Sequence, residues 1–232
     1  MTVGLPHLEI EQKFTLPDGS IEEQLLNLGM VKGSEMTMVD WYYDVAAPHW
    51  ILTPQDCWLR FRETPKERCW QLKRGRNHGS GGSTVYEEME GMEALKIAFS
   101  MLPNHSQLKL PTEEVNVNVT ERLESYNIVP FARIETVRSS WRPKDDNSPH
   151  TGLCVDLDKT DFGYIVGEVE IVVNKEEDVE AARQRVGKFV ASLVPDPDES
   201  TDPAIGKLEH YMQRYCKEQY DACIQGGSIK MR

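Results

Sequence analysis

Charged side chains alternate with apolar or neutral ones in several short stretches of the sequence. The first stretch is residues 8–14, where Glu9 and Glu11 precede Lys13 at every second position. Side chains at i and i+2 of a β-strand share one face and lie roughly 6 to 7 Å apart. Neighbouring like charges repel unless an opposite charge lies between them. This stretch therefore predicts a strand whose two carboxylates need a counter-charge.

The same arrangement returns further along the chain. Like-charged pairs with this spacing are Arg60 and Arg62, Asp156 and Asp158, and Glu168 and Glu170. A strand face turned to water is the ordinary explanation of any single pair. Solvated sheets, however, favour opposite signs on neighbouring positions. Repeated same-sign pairs therefore favour charged faces that converge inside a closed barrel, with the apolar faces covered by helices.

Carboxylates and arginines in such an arrangement could bind a metal and a phosphate chain. Hard carboxylate oxygens suit Mg²⁺ or Mn²⁺, which keep several waters that a phosphate can replace. The planar fork of arginine matches phosphate oxygens in a bidentate way, and lysine adds a point charge. The rows of charge predict a polyphosphate site.

The elements that must position these residues follow from periodicity and turn signals. Strands are predicted at 8–14, 36–44, 57–63, 69–74, 84–90, 131–142, 153–158 and 165–173. Helices are predicted from the capping box at Ser20, over 90–102 and 119–128, from Asn174 to about Leu193, and from Asp202 and Pro203. We expect an α+β fold: a closed eight-stranded antiparallel β-barrel with a polar lumen, flanked by amphipathic helices.

The predicted elements form one domain over residues 1–232, with a core at about 5–215. Residues 216–232 are predicted to be a C-terminal tail that frays at its end. The segment RGRNHGSGG could wrap phosphates with its amides, but it reads as a hairpin loop because no helix follows it.

Composition limits the possible partners. A formal net charge of -12 and a pI near 5.0 argue against general binding of nucleic acid or anionic membranes. The N-terminus has no signal-peptide pattern, and no apolar run is long enough for a membrane span, so we expect a cytosolic protein. The five cysteines lack CxxC spacing, which indicates reduced thiols.

An ordered set of motifs connects these observations to a known family. The motifs are ExExK at 9–13, DxYYD at 40–44, RxR at 60–62, strand residues Lys73 and Arg138, DLD at 156–158 and GEVE at 167–170. Together they resemble the CYTH or triphosphate tunnel metalloenzyme family over about residues 5–215, and within it the branch that acts on thiamine triphosphate. Gln12 departs from the basic residue common in relatives, but it lies on the opposite strand face.

This resemblance implies an eight-stranded barrel with a polar tunnel. It also implies dependence on Mg²⁺, with Mn²⁺ as a substitute, and hydrolysis of the terminal phosphate of an organic or inorganic triphosphate. The family's acidic metal-binding positions match Glu9, Glu11, Asp156, Glu168 and Glu170, with Glu88 and Asp158 as further acids of the lumen. Its basic triphosphate-binding positions match Lys13, Arg60, Arg62, Lys73, Arg138 and Lys207.

Two residues are predicted to be catalytic. The family lysine that Lys13 matches is paired with a tyrosine, matched by Tyr42, and is implicated in activating water. A general base needs a lowered pKa, which nearby arginines promote and carboxylates oppose, so Lys13 acting as a phosphate clamp is the alternative. Tyr42 could equally be a core aromatic residue.

Trp58 shares its strand face with the two arginines, so it should stand at the mouth of the tunnel. A cationic thiazolium stacked on the indole would gain about 1 to 2 kcal/mol, which favours thiamine triphosphate over a nucleotide by roughly tenfold. The alternative is a packed core tryptophan.

Several functions share these features. We expect a monomeric hydrolase of thiamine triphosphate, and the alternatives are an inorganic tripolyphosphatase, a non-catalytic polyphosphate-binding module and an adenylyl cyclase of the same family. Turnover of tripolyphosphate, cyclic AMP production and phosphate release distinguish them.

Overall fold

A computed structural model describes residues 7–16, 21–76, 82–103, 119–194 and 204–230. The predicted helix caps at Ser20, Asp202 and Pro203, and most of the glycine-rich loop, lie outside these residues.

Eight strands occur where the alternating pattern predicts them. They are β1 (His7–Phe14), β2 (Met30–Val45), β3 (Cys57–Glu63), β4 (Arg68–Gly75), β5 (Thr84–Glu90), β6 (Ile128–Pro143), β7 (Leu153–Thr160) and β8 (Ile165–Val173). β2 and β6 are longer than predicted, since each has 16 residues and β2 begins six residues before the predicted start.

The strands join in a ring in the order β1-β5-β4-β3-β2-β6-β7-β8. The pairs β1 with β8, β2 with β3, β3 with β4, β6 with β7 and β7 with β8 are antiparallel. An eight-stranded antiparallel sheet that closes in a ring, together with helices, confirms the predicted α+β class.

Six α-helices accompany the strands in the part of the chain that the structure describes. They are α1 (Ile21–Asn27), α2 (Gly91–Ser100), α3 (Val119–Ser125), α4 (Val179–Leu193), α5 (Lys207–Tyr215) and α6 (Lys217–Gly226). Short 3-10 turns lie at Thr53–Gln55 and Glu176–Asp178. Within the described ranges, none of the helices is both long and apolar enough to span a membrane.

The prediction of a frayed C-terminal tail was wrong. Residues 217–226 form α6, which buries Tyr220 and Cys223. Beyond the helix, Ser228 and Ile229 are also buried. A Cβ added at Gly226 would lie 2.3 Å from the carbonyl oxygen of Pro54, so the helix end fits closely against the 3-10 turn. Burial of this apolar surface stabilises a segment that its sequence alone marks only weakly.

The chain divides into two compact units, each built from three chain segments. Unit 1 contains Met1–Met38, Gly75–Glu87 and Glu135–Lys207. Unit 2 contains Val39–Arg74, Glu88–Ile134 and Leu208–Arg232. A single domain over 1–232 stays a prediction.

The core of unit 1 lies between α4 and the outer faces of β1, β7 and β8. Its buried residues include Ile10, Val155, Val169, Val186 and Phe189. The apolar residues at every second strand position thus pack against the apolar stripe of the helix. Their charged neighbours must lie on the opposite face of the same strands.

Unit 2 has a core of its own around α2 and the outer faces of β3 and β4. Leu59, Leu72, Leu95 and Phe99 are buried in it. The carboxylate of Asp44 fixes the loop after β2, because it accepts hydrogen bonds from the backbone amides of residues 45, 51, 52 and 53 at 2.7–3.0 Å. Each unit therefore presents a well-supported inner strand face.

Candidate active site

The charged residues of unit 1 form a cluster on the inner faces of adjacent strands and at the start of α5. We define the acidic cluster as Glu9, Glu11, Asp156, Asp158, Glu168 and Glu170 together with the bases Lys13, Arg138 and Lys207. The strand register places Glu11 opposite Glu170 and Lys13 opposite Glu168. It also places Asp156 opposite Glu168. These predicted site residues of unit 1 therefore lie on one face.

Burial of the cluster excludes the explanation that these strands show their charges to water. Glu9 is 5%, Glu11 2% and Asp156 3% exposed. Carboxylates are rarely buried to this extent unless they are paired or bind a cation.

Arg138 joins the carboxylates of β7. Its Nε and Nη2 donate to the two oxygens of Asp158 at 2.7 Å, and its guanidinium also pairs with Asp156. Lys207 Nζ donates to Asp158 Oδ2 at 2.8 Å. Burial opposes ionisation, but Arg138 and Lys207 more than offset it and lower the pKa of Asp158 to about 2. Asp158 is thus a fixed anion that holds two predicted phosphate-binding bases.

Lys13 lies between two carboxylates. Its Nζ pairs with Glu11 and donates to Glu168 Oε1 at 3.0 Å. Neighbouring negative charge favours the protonated ammonium. These contacts favour the phosphate clamp over the general base among the two predicted roles of Lys13.

Glu170 has a different environment because its neighbours are acids. Burial and the adjacent Glu9, Glu168 and Asp156 raise the pKa of Glu170 well above its usual value. Carboxylates outnumber basic groups in the acidic cluster. A divalent cation would offset this excess of negative charge, and the donors are mainly the hard oxygens that Mg²⁺ prefers. The residues present therefore fit the metal that the family resemblance implies.

The predicted metal ligands differ in their neighbours. Asp156 Oδ1 accepts from Ser140 Oγ at 2.6 Å and from Cys154 Sγ at 3.4 Å. Its other oxygen pairs with Arg138. Asp156 therefore has three partners of its own, whereas the close approach of Glu9 and Glu170 brings two acids together.

Cys154 lies beside the acidic cluster, and none of the sequence motifs marked it. The ligand atoms of Cys154, Asp156 and Glu170 all lie within 4.8 Å of one another. The signal was available, because Cys154 precedes Asp156 by two residues and so shares its strand face. Burial and the nearby carboxylates raise the pKa of its thiol, which keeps the sulfur protonated.

Unit 2 carries a basic cluster, defined as Arg60, Arg62 and Lys73 with Asp40, Glu88 and Tyr42. Tyr42 is opposite Arg60 and Asp40 is opposite Arg62. Lys73 lies 3.4 Å from Glu88, and Arg60 is 3.9 Å from the same carboxylate. Burial raises the pKa of Glu88, but Lys73 and Arg60 outweigh it and lower that pKa below its usual value.

Asp40 is the centre of this cluster and was predicted only as part of a motif. Its side chain is completely buried, and Arg62 Nε and Nη2 donate to its two oxygens at 2.7 and 2.8 Å. Arg60 approaches the same carboxylate to 4.0 Å. The sign pattern hid this role, because the residues two positions before and after Asp40 are Met38 and Tyr42, and neither is charged.

Tyr42 and Trp58 lie on the arginine face of unit 2, as their spacing predicts. Burial raises the pKa of the Tyr42 hydroxyl, to which Arg60 donates a hydrogen bond. The indole Nε1 of Trp58 donates to Asp56 at 2.8 Å, and the residue opposite Trp58 is Lys73. Trp58 is half-buried, so the core does not enclose it completely. The pairing of Tyr42 with Lys13 stays a prediction.

Solved structures share this fold. A protein of Pyrococcus horikoshii aligns with a TM-score of 0.58 and 15% identity, covering 89% of this chain and 99% of its own. A Vibrio parahaemolyticus protein provisionally assigned as an adenylate cyclase aligns with a TM-score of 0.52 and 17% identity, covering 81% and 88%. No family model matches the sequence. The ring of strands with buried acidic and basic rows has the architecture of the CYTH class.

Two curated relatives identify the branch. The thiamine-triphosphatases of Macaca fascicularis and Homo sapiens are each 32% identical over 237 aligned residues, which cover 100% of this chain and 95% of theirs. The chain therefore belongs to the thiamine-triphosphatase family.

Proposed function

We propose that the protein hydrolyses thiamine triphosphate to thiamine diphosphate and phosphate in a reaction that depends on Mg²⁺. The observation that carries the proposal is the burial of two separate rows of charge, one mainly acidic and one mainly basic, on the inner strand faces. The names of the curated relatives support the substrate. A polar tunnel, a monomer and a cytosolic location are part of the same proposal.

The basic cluster would hold the phosphate chain. Arg60 and Arg62 offer planar forks for phosphate oxygens, and Lys73 adds a point charge. Their present partners, Asp40 and Glu88, keep these cations in place without a ligand. In this proposal the side chains are ready to bind before the substrate arrives, which lowers the cost of ordering them.

The predicted acidic ligands would hold Mg²⁺, which supplies charge compensation for the phosphate oxygens when it is bound. These ligands are Glu9, Glu11, Asp156, Glu168 and Glu170. Lys13, kept protonated by Glu11 and Glu168, would bind a phosphate oxygen and stabilise the charge that develops as water attacks the terminal phosphorus. Arg138 and Lys207, held by Asp158, would orient the phosphate chain for in-line attack.

Phosphate release tests the proposal directly. Thiamine triphosphate, tripolyphosphate, ATP and GTP are compared with Mg²⁺, Mn²⁺, Ca²⁺ or EDTA, and ATP reactions are also assayed for cyclic AMP. We expect release from thiamine triphosphate to exceed the others and to stop in EDTA. Preference for tripolyphosphate, production of cyclic AMP, or tight binding without release would each refute it.

The stacking role of Trp58 has a matched control. Trp58→Leu should lower the preference for thiamine triphosphate over tripolyphosphate about tenfold, the factor that one cation–π contact supplies. Trp41 is also half-buried but lies on the outer face opposite Phe61. Trp41→Leu should leave the ratio unchanged, and equal ratios in both variants would reject the stacking role.

A further inference from the structure

The turn between β7 and β8 places Tyr164 in a fixed position. The backbone amide of Thr160 donates to the Tyr164 carbonyl at 2.9 Å, and the Thr160 hydroxyl donates to the same oxygen at 3.0 Å. The Tyr164 amide donates back to that hydroxyl at 2.9 Å. Gly163, with φ of +85°, allows the tight reversal between them.

From this turn the Tyr164 side chain reaches a distant part of the chain. Its hydroxyl donates to the carbonyl oxygen of Ile205 at 2.8 Å. Ile205 belongs to residues 204–206, which have no regular structure and lead directly into α5. This bond fixes the backbone immediately before the helix.

The two residues after Ile205 belong to the acidic cluster or touch it. Gly206 lies beside Lys13, and Lys207 is itself one of the bases. A Cβ added at Gly206 would lie 3.2 Å from Lys13 Cε, so the backbone passes close along the Lys13 side chain. Lys207 is only 9% exposed, and its Nζ lies 2.8 Å from Asp158. The position of residues 205–207 therefore sets where Lys207 leaves the backbone and limits the space beside the Lys13 side chain.

We infer that Tyr164 is a positioning residue for triphosphate binding, acting through Ile205 on Lys207. The inference rests on the proposed function for its substrate and adds a residue that need not touch that substrate. Its hydroxyl holds the start of α5 so that Lys207 is oriented before a phosphate chain binds. Losing that hydroxyl would weaken binding more than it slows chemistry.

Tyr164→Phe keeps the ring and removes the hydrogen bond. We expect KM for thiamine triphosphate to rise about threefold to tenfold, the factor that loss of one neutral hydrogen bond corresponds to. We expect kcat to stay within about twofold. Thr160→Val, which removes the hydroxyl that fixes Tyr164, should give a change of the same kind. Tyr215→Phe, an exposed tyrosine at the end of α5, is the control and should leave KM unchanged.

A double-mutant cycle separates positioning from a general structural role. If Tyr164 acts through Lys207, Tyr164→Phe should add almost nothing in a Lys207→Met background. An undiminished effect in that background, or no change of KM in Tyr164→Phe alone, overturns the inference. So does a Tyr164→Phe variant that loses kcat and thermal stability together.

Binding of inorganic tripolyphosphate, measured by calorimetry, keeps this test apart from the proposed function. A wild-type protein that binds tripolyphosphate but hydrolyses nothing would refute the proposed function, and the same cycle read as Kd would still decide the role of Tyr164. A wild-type protein that hydrolyses thiamine triphosphate with no Tyr164 effect refutes only the inference. Absence of any triphosphate binding refutes both.

Discussion

Replacing Asp40 by Asn should destabilise the protein and make its stability depend on an anionic ligand. The carboxylate of Asp40 is completely buried, accepts two hydrogen bonds from Arg62 and lies 4.0 Å from Arg60. Asp40→Asn keeps the shape of the side chain but removes its negative charge. Two largely buried guanidiniums then lose a shared counter-ion.

The expected size follows from this geometry. Removing one partner of a buried ion pair costs about 3 to 5 kcal/mol. The guanidiniums are 10% and 14% exposed, which allows some hydration and favours the lower end, about 3 kcal/mol. For a chain of this length that corresponds to a fall in Tm of roughly 6 to 12 °C.

Thermal unfolding with and without tripolyphosphate measures both effects. The ligand should raise the Tm of Asp40→Asn more than that of the wild type, because phosphate oxygens replace the missing negative charge. Asp221→Asn, which breaks the exposed pair with Lys217, should shift Tm by only about 2 °C or less. If Asp40→Asn has the same Tm as the wild type, or if tripolyphosphate raises its Tm by no more than that of the wild type, Asp40 does not hold the arginines in place for phosphate.

Three further expectations concern the acidic cluster. Glu170→Gln should stabilise the protein at pH 8 in EDTA, because the raised pKa of Glu170 means that wild-type stability falls as pH rises above the pKa of the unfolded chain. In urea unfolding the gain should shrink toward pH 4, and a constant gain would contradict this cause. Asp158 has a lowered pKa of about 2, so the stabilisation by its carboxylate is present above about pH 4 and is lost between about pH 4 and 2. The stability of Asp158→Asn should therefore not fall in this pH range as that of the wild type does. An acid unfolding curve with the same pH dependence as the wild type would exclude this contribution of Asp158. If Lys13 is a phosphate clamp, Lys13→Arg should keep turnover within about tenfold of the wild type, while Lys13→Met should lose more. A hundredfold to ten-thousandfold loss in both variants would instead support the role of general base.

The strands could be predicted because the fold requires the alternation of apolar and charged residues. In residues 8–14, Ile10 and Phe14 pack in the core of unit 1 while Glu9 and Glu11 lie on the other face. The period of two can be seen in the order of the residues, and it predicts both the strands and the face that the charged side chains share.

The partners of those charges could not be predicted in the same way. Which base meets which acid depends on the register between paired strands, as for Arg138 with Asp158 or Arg62 with Asp40. The motif set marked Asp156 as a metal ligand without showing that Ser140 and Arg138 already engage it. Sequence periodicity fixes a face, whereas ion pairs depend on the neighbouring strand.

Helix α6 shows where local signals are weakest. Gly227 and Ser228 follow it, and only Tyr220 and Cys223 among its apolar residues are deeply buried, so its sequence resembles a tail. Its place is set by tertiary contacts, including the bond from Gln219 Nε2 to Thr53 Oγ1 at 3.1 Å. Packing here decides the structure more than propensity does.

The interleaving of three chain segments in each unit affects how the protein is made on the ribosome. Unit 1 takes its last segment from Glu135–Lys207, so its core cannot be completed until that stretch has emerged. Early strands must wait with apolar faces and unpaired edges open to other nascent chains, the situation in which chaperones are needed most. A single cut of the chain after any residue from 39 to 206 would divide both units, so neither half of the polypeptide should fold when it is produced alone.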